Sequence, residues 1–299
     1  MSTPRSLKLP PQVKPVGIET TRGSFSALVA EPPSGIRERE PALLVPGYTG
    51  SKEDFLAVLE SLAGAGRLVT AIDMRGQYQS APALSKAGYA LDELASDLIA
   101  LAAAIPSDRG RVHLLGHSFG GLIARQAILA SPTSFLSLTL LGSGPGTIGG
   151  VRAQTLRELL DFLDPAGHDV ERLGEMIAQV WHGQLRPQAE KDGTPAEIID
   201  FLAERALTSC PLGLAEMARH LLAFPDRTEE LAALEQLPKL VSYGENDDAW
   251  PPAVQDMMAK RLGAERICIP GAAHSPAVEA PETTAGMLTA FWNDAETVR

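Results

Sequence analysis

Short apolar runs alternate along this chain with longer segments whose apolar positions recur every three or four residues. Near the start, VGIET and SFSALVA are joined by TRG and read as a β-hairpin. The charged stretch IRERE then reads as a solvated loop ahead of two buried strands, PALLVPG and RLVTAID. Between those strands, Ser51 with Asp54 three residues on predicts a capped helix through about Ala63. A stripe of Leu91, Leu94, Ala95, Leu98 and Ile105 predicts an amphipathic helix. RVHLLGH and FLSLTLLG are the next strands, separated by a helix carrying Leu122, Ile123, Ala127 and Ile128. From about Thr147 to Phe224 the helical period persists through Leu156, Leu159, Leu160 and Leu163, then Ile199, Phe201 and Leu202, yet no run reads as a strand. Alternation resumes with KLVSYG, a helix from about Ala253 to Leu262, RICIPG, and a last helix opened by Pro281. Strands alternating with amphipathic helices argue for an α/β fold, a mostly parallel central sheet with helices on both faces. The expected organisation is a core of residues 1–146 and 225–299 interrupted by a helical insertion over 147–224.

One junction carries chemistry. In RVHLLGHSFGGLIARQ a strand turns into a helix through Ser118, with Gly116 two residues before it and Gly120 two residues after. A turn that sharp brings the residues two away on either side against backbone, where a Cβ would clash. It also lifts the serine Oγ clear of the sheet and aims the unpaired N–H groups of the new helix at whatever that oxygen attacks. Ser118 is therefore a candidate nucleophile, and a serine needs a base that is itself oriented by a third group. In an open α/β sheet functional groups gather beyond the carboxyl ends of the strands. Two such loops follow: GENDDAWPP with Asp247 and Asp248, and PGAAHSPAVEAPE with His274.

GHSFGG, GENDDAWPP, GAAHSPAVEAPE and DMRGQYQS together resemble the nucleophile elbow, acid loop, histidine loop and D-x-R-G-x-G-x-S loop of the α/β-hydrolase superfamily. The resemblance spans nearly the whole chain apart from the insertion. It implies Ser118 as nucleophile, His274 as general base and acid, and Asp247, three residues after Gly244 and four before Pro251, as the residue that orients the imidazole. It also implies an oxyanion hole from the backbone N–H groups of Phe119 and, in the loop VPGYTGS, Tyr48. Two positions depart from the pattern: Pro46 stands where His is frequent before Gly47, and Tyr78 where the D-x-R-G-x-G-x-S loop has its last glycine. Pro46 removes a side chain that commonly braces the oxyanion loop. By the same resemblance the insertion is a cap over the site, with Met176, Trp181 and Trp250 as candidate pocket residues. A serine at the elbow argues against the dehalogenases and most epoxide hydrolases of the fold, which need aspartate there. The implied reaction is cleavage of an ester-like bond in a small apolar substrate through an acyl-enzyme. Lactonase, thioesterase, carbon–carbon bond hydrolase and cofactor-free haloperoxidase activities use the same constellation, and a non-catalytic small-molecule receptor is the alternative of another class.

Composition narrows the partners. With 26 basic and 37 acidic residues the net charge of −11 would repel a phosphate backbone, so no nucleic acid is expected. No run has the length of a membrane span and none at the start looks like a signal peptide, so no membrane and a cytoplasmic location are expected. The oligomeric state has no signature. Cys210 and Cys268 are the only cysteines, which excludes a disulfide framework, and Cys268 in RICIP reads as a small buried hydrophobe. His113 and His117 span a strand and a turn rather than one helix, so no metal and no cofactor are expected. Gly144, Gly146 and Gly149 form a G-x-G-x-x-G with no following strand and read as a hinge rather than a pyrophosphate site. DMRG, from Asp73 to Gly76, reads as a loop held by its own Arg and Asp.

Overall fold

The structure is a computed structural model that describes residues 2–33, 35, 37–163 and 170–297. Its strands are β1 (Val13–Thr20), β2 (Gly23–Ala30), β3 (Arg39–Val45), β4 (Arg67–Ile72), β5 (Val112–His117), β6 (Phe135–Leu141), β7 (Lys239–Gly244) and β8 (Glu265–Ile269). They form one sheet in the order β1-β2-β4-β3-β5-β6-β7-β8. The hairpin of β1 and β2 is antiparallel and joins the rest through an antiparallel β2–β4 pair. From β4 to β8 every pairing is parallel. Parallel neighbours put their carboxyl ends on one edge of the sheet, which is where the loops after β3, β5, β7 and β8 converge.

Helices cover both faces, so β4, β5 and β6 are buried along their whole length and are largely apolar, with Thr70, His113, Ser137 and Thr139 as buried polar positions among them. On one face α1 (Leu56–Gly64) and α11 (Pro281–Thr297) pack Leu59, Leu62, Leu288 and Trp292 against Leu44, Leu115 and Leu240. On the other, α2 (Leu91–Ala104), α3 (Phe119–Ala130) and α10 (Pro252–Leu262) pack Leu98, Ile123 and Met258 against Leu43, Leu114 and Val241. Between β6 and β7 the described residues form only helices: α4 (Gly150–Leu163), α5 (Val170–Val180), a π-turn at Trp181–Leu185, α6 (Arg186–Lys191), α7 (Ala196–Thr208), α8 (Pro211–Ala223) and α9 (Thr228–Ala232). No helix among the described residues is long and apolar enough to cross a membrane.

Four local expectations are corrected. Ser51 makes no side-chain cap; a 3₁₀ turn over Lys52–Phe55 leads into α1, and Asp54 instead accepts from Arg205 of α7 at 2.8 Å. Cys268 is exposed, because it lies on β8, the edge strand of the sheet, which is largely open to solvent. In IRERE, Arg39 and Glu40 begin β3, and Glu40 is buried as it accepts a hydrogen bond from Ser107 at 2.7 Å. In DMRG the ion pairs run outward: Arg75 bonds Asp97 of α2, and Asp73 bonds the buried Lys52. Gly144 and Gly146 sit where chains crowd together, since a Cβ on Gly144 would fall 2.0 Å from Trp250 Cδ1.

Candidate functional site

Where β5 runs into α3, Ser118 has φ 54° and ψ −120°, a conformation that L-residues rarely adopt. The surroundings enforce it. A Cβ on Gly116 would lie 2.3 Å from the Gly120 carbonyl oxygen, and one on Gly120 would lie 2.3 Å from the Pro46 carbonyl oxygen. Gly121, which the sequence reading passed over, is equally constrained, its Cβ position lying 2.5 Å from Ser143 Oγ. The turn is therefore fixed by sterics, and it leaves Ser118 only 7% exposed at the carboxyl edge of the sheet.

Residues far apart in sequence meet it there. His274, in the loop after β8, places Nε2 2.9 Å from Ser118 Oγ and Nδ1 2.9 Å from Asp247 Oδ1. With Nδ1–H donating to the carboxylate, Nε2 carries a lone pair that faces the Ser118 hydroxyl and can accept its proton. Asp247 is buried and doubly held, accepting from the Ala249 N–H at 2.9 Å and from Gln255 Nε2 at 2.9 Å. Asp248 points elsewhere, 64% exposed and paired with Arg152 at 2.6 Å. His117 Nε2–H donates to the His274 carbonyl at 2.7 Å, and burial pushes its pKa down to about 3, so it braces the histidine loop as a neutral ring. Gln255 and His117 escaped the sequence reading: one lies on a helix eight residues past Asp247, the other looked only like a possible metal ligand.

The loop after β3 completes the floor. Neither the Tyr48 nor the Phe119 backbone N–H meets a backbone acceptor among the described residues. The Gly47 carbonyl accepts from Gln77 Nε2 at 2.9 Å and from the Gly50 N–H at 3.1 Å. In a planar trans peptide the carbonyl and the N–H point in opposite directions, so anchoring Gly47 C=O aims the Tyr48 N–H the other way. Gln77 is fully buried in DMRGQYQS and does at a distance what a side chain at Pro46 does not.

Ser118 and His274 open into a cavity of about 460 Å³ that is also walled by Tyr48, Arg152, Leu156, Leu159 and Leu221. A smaller chamber of about 80 Å³ shares Tyr48, Thr49, Leu159 and Leu185 with it. Of the expected pocket residues, Trp181 borders the smaller chamber. Met176 instead packs among Leu173, Leu159 and Ile177, and Trp250 lies on Gly144 with Nε1 donating to the Gly146 carbonyl at 3.2 Å; neither borders either cavity. Among the described residues no three His, Cys, Asp or Glu side chains could hold a metal ion together.

Residues 42–287 match the sequence profile described as the alpha/beta hydrolase family. The chain is 30% identical over 258 residues to the dihydrolipoyllysine-residue acetyltransferase component of the acetoin cleaving system of Pseudomonas putida, covering 84% of this chain but 63% of that one. The chain thus spans less than two thirds of that relative's length. It is 28% identical over 246 residues to a pimeloyl-[acyl-carrier protein] methyl ester esterase of Aeromonas hydrophila, covering 80% of this chain and 90% of the other. Among solved structures, a thermophilic esterase from Thermogutta terrifontis superposes with a TM-score of 0.70 at 23% identity, covering 95% of this chain and 100% of that one.

Proposed function

The chain belongs to the alpha/beta hydrolase family, and from that premise we propose that it hydrolyses an ester-like bond of a small, largely apolar substrate through an acyl-enzyme on Ser118. The observation that carries this reading is the unbroken relay Asp247–His274–Ser118, with both hydrogen bonds at 2.9 Å. Ser118 Oγ attacks the carbonyl carbon while His274 Nε2 takes its proton, and Asp247 stabilises the imidazolium that forms. The negative oxygen is met by the N–H groups of Tyr48 and Phe119. His274 then returns the proton to the leaving oxygen, and water repeats the sequence to free the acid and Ser118. The helices within 147–224 act as a cap, since Arg152, Leu156 and Leu159 of α4 and Leu221 of α8 wall the cavity above Ser118. Arg152 is already neutralised by Asp248, so the cavity offers an anionic substrate no free cation among these wall residues.

Turnover of short-chain 4-nitrophenyl esters, with fluorophosphonate labelling of Ser118, tests the proposal. Labelling together with turnover is expected. Labelling without turnover of any ester, lactone or thioester in a broad panel would replace the enzyme by a receptor.

A further inference from the structure

Residues 2–10 form neither helix nor strand, yet they follow one fixed path past the site. Terminal segments do so only where something ties them down. Ser2 Oγ lies 2.8 Å from Ser275 Oγ in the loop after β8, and the Ser2 carbonyl accepts from Arg205 Nη2 of α7 at 2.6 Å. Arg5 Nη2 donates to the Glu279 carbonyl at 2.9 Å, Pro4 is buried, and Leu7 packs on the cluster of Trp181, Ile198 and Phe201. The segment is thus a strap that joins the histidine loop to the helices above it, and Ser2 borders the cavity at Ser118. His274 does not need the strap to keep its place. Its carbonyl is held by His117 and its Nδ1 by Asp247, and the N–H groups of Ala273 and Ser275 on either side both donate to the Glu279 carboxylate. What the strap supplies is a surface facing the cavity.

The path of the proton decides which part of a substrate meets that surface. His274 Nε2 gives its proton to the leaving oxygen, so the departing alcohol lies against the histidine loop. Ser2, Ser275 and Glu279 border the cavity on that side, whereas Leu156, Leu159 and Leu221 wall it from the helices above. Resting on the acyl-transfer reading above, we propose that the strap of residues 2–7 is the wall on the leaving-group side and limits the length of the alcohol, while the helices above select the acyl chain. An apolar tail pressed against the Ser2 and Ser275 hydroxyls would also strip them of water without offering a partner, which sharpens the steric limit.

The test uses acetate esters of straight-chain alcohols from ethanol to octanol, followed by acid release, beside 4-nitrophenyl esters of acyl chains from two to eight carbons. The quantity read is kcat/KM, because it covers the acylation step in which the alcohol departs. Deletion of residues 2–6 should raise the octyl-to-ethyl ratio by about tenfold, the lower end of what one methylene of fit in a pocket is worth, and should move the acyl-length ratio by less than about twofold. Arg5→Ala combined with Leu7→Ala keeps the full chain and removes two of the ties. It should raise the octyl-to-ethyl ratio by about two- to fivefold, and it decides the matter if the deletion does not fold. An octyl-to-ethyl ratio unchanged in the folded variants overturns the wall while leaving ester hydrolysis standing; a common fall of every ester would then mean that the strap only props the histidine loop. A shift confined to the acyl series overturns the assignment to the leaving-group side. Absence of any ester turnover together with absence of fluorophosphonate labelling removes the parent reading, and the wall with it.

Discussion

Below Ser118 the site is made of loops leaving the ends of parallel strands, whereas above it the walls come from helices with no strand among them, and the two regions are held by different forces. The floor is set by backbone. Gly116, Gly120 and Gly121 are places where a Cβ would collide, and the Gly47 carbonyl is fastened by Gln77 and Gly50. The roof is tied down mainly by side-chain anchors, Arg205 to Asp54, Ser209 Oγ accepting from the Tyr78 N–H at 3.0 Å, His220 to the Tyr89 carbonyl at 2.8 Å and Arg152 to Asp248, with one backbone tie from the Cys210 N–H to the Gly76 carbonyl at 2.7 Å. A region fixed by sterics holds reacting atoms to within a fraction of an ångström, and one fixed by side chains can change its lining without disturbing them. Substitutions in the floor should therefore scale every substrate alike, and substitutions in the roof should re-rank substrates.

The largest effect belongs to Ser118→Ala, expected to leave a folded protein whose ester hydrolysis is lower by several orders of magnitude, with only binding and the oxyanion donors remaining. Retention of a tenth of wild-type kcat, roughly 1.4 kcal/mol of barrier, would show that Ser118 is not the nucleophile. Next, Asp247→Asn should lower kcat by roughly 10⁴-fold, because an amide at that position favours the wrong imidazole tautomer. Asp248→Asn should lower it by less than about tenfold, since Asp248 bonds Arg152 and not the histidine. Kinetics of both variants on one ester decide between them, and a larger loss at Asp248 reverses the assignment.

The same contrast explains what could be read from the sequence. All eight strands and the elbow were visible, because the central strands β3 to β7 write short, largely apolar runs, the outer strands keep enough apolar positions between turn residues, and a steric turn writes glycine at fixed offsets. Ser118, Asp247 and His274 were visible because each follows a strand that ends on the shared edge. Side chains that act across long separations left no local mark. Gln255 behind Asp247, Gln77 behind Gly47 and Arg205 beside Asp54 become meaningful only once the fold brings them together. Ser51 failed as a cap for the same reason, since Asp54, the other half of its motif, is engaged by Arg205 some 151 residues away. Met176 and Trp250 show the limit of composition: large apolar residues near a site go as readily into packing as into a pocket lining.

A smaller loss tests the floor without touching any reacting group. Gln77→Glu keeps the shape of the side chain but turns the donor facing the Gly47 carbonyl into an acceptor, so the peptide that aims the Tyr48 N–H loses its anchor. Deleting an oxyanion donor outright costs about 10²–10³ in kcat, and misaiming one should cost about ten- to a hundredfold, with KM little changed. A rise in KM at unchanged kcat would mean that Gln77 shapes the cavity rather than the donor.

The smallest effect is expected in the roof, and it separates the two regions most sharply. Val180 lies on α5 and borders only the smaller chamber, away from Ser118 and His274. Val180→Ala removes two methyl groups from that wall and enlarges the chamber without moving the loops below. One methylene of fit in an apolar pocket changes selectivity by about tenfold or somewhat more, and partial relaxation of the helix should reduce this to roughly three- to tenfold. The ratio of kcat/KM for a longer acyl ester to that for a shorter one should therefore rise by that factor. Gln77→Glu should leave this ratio where it was while lowering both values. If Val180→Ala instead lowers every ester by one common factor, the helices over the site are scaffolding for the floor and not the surface that selects the acyl chain.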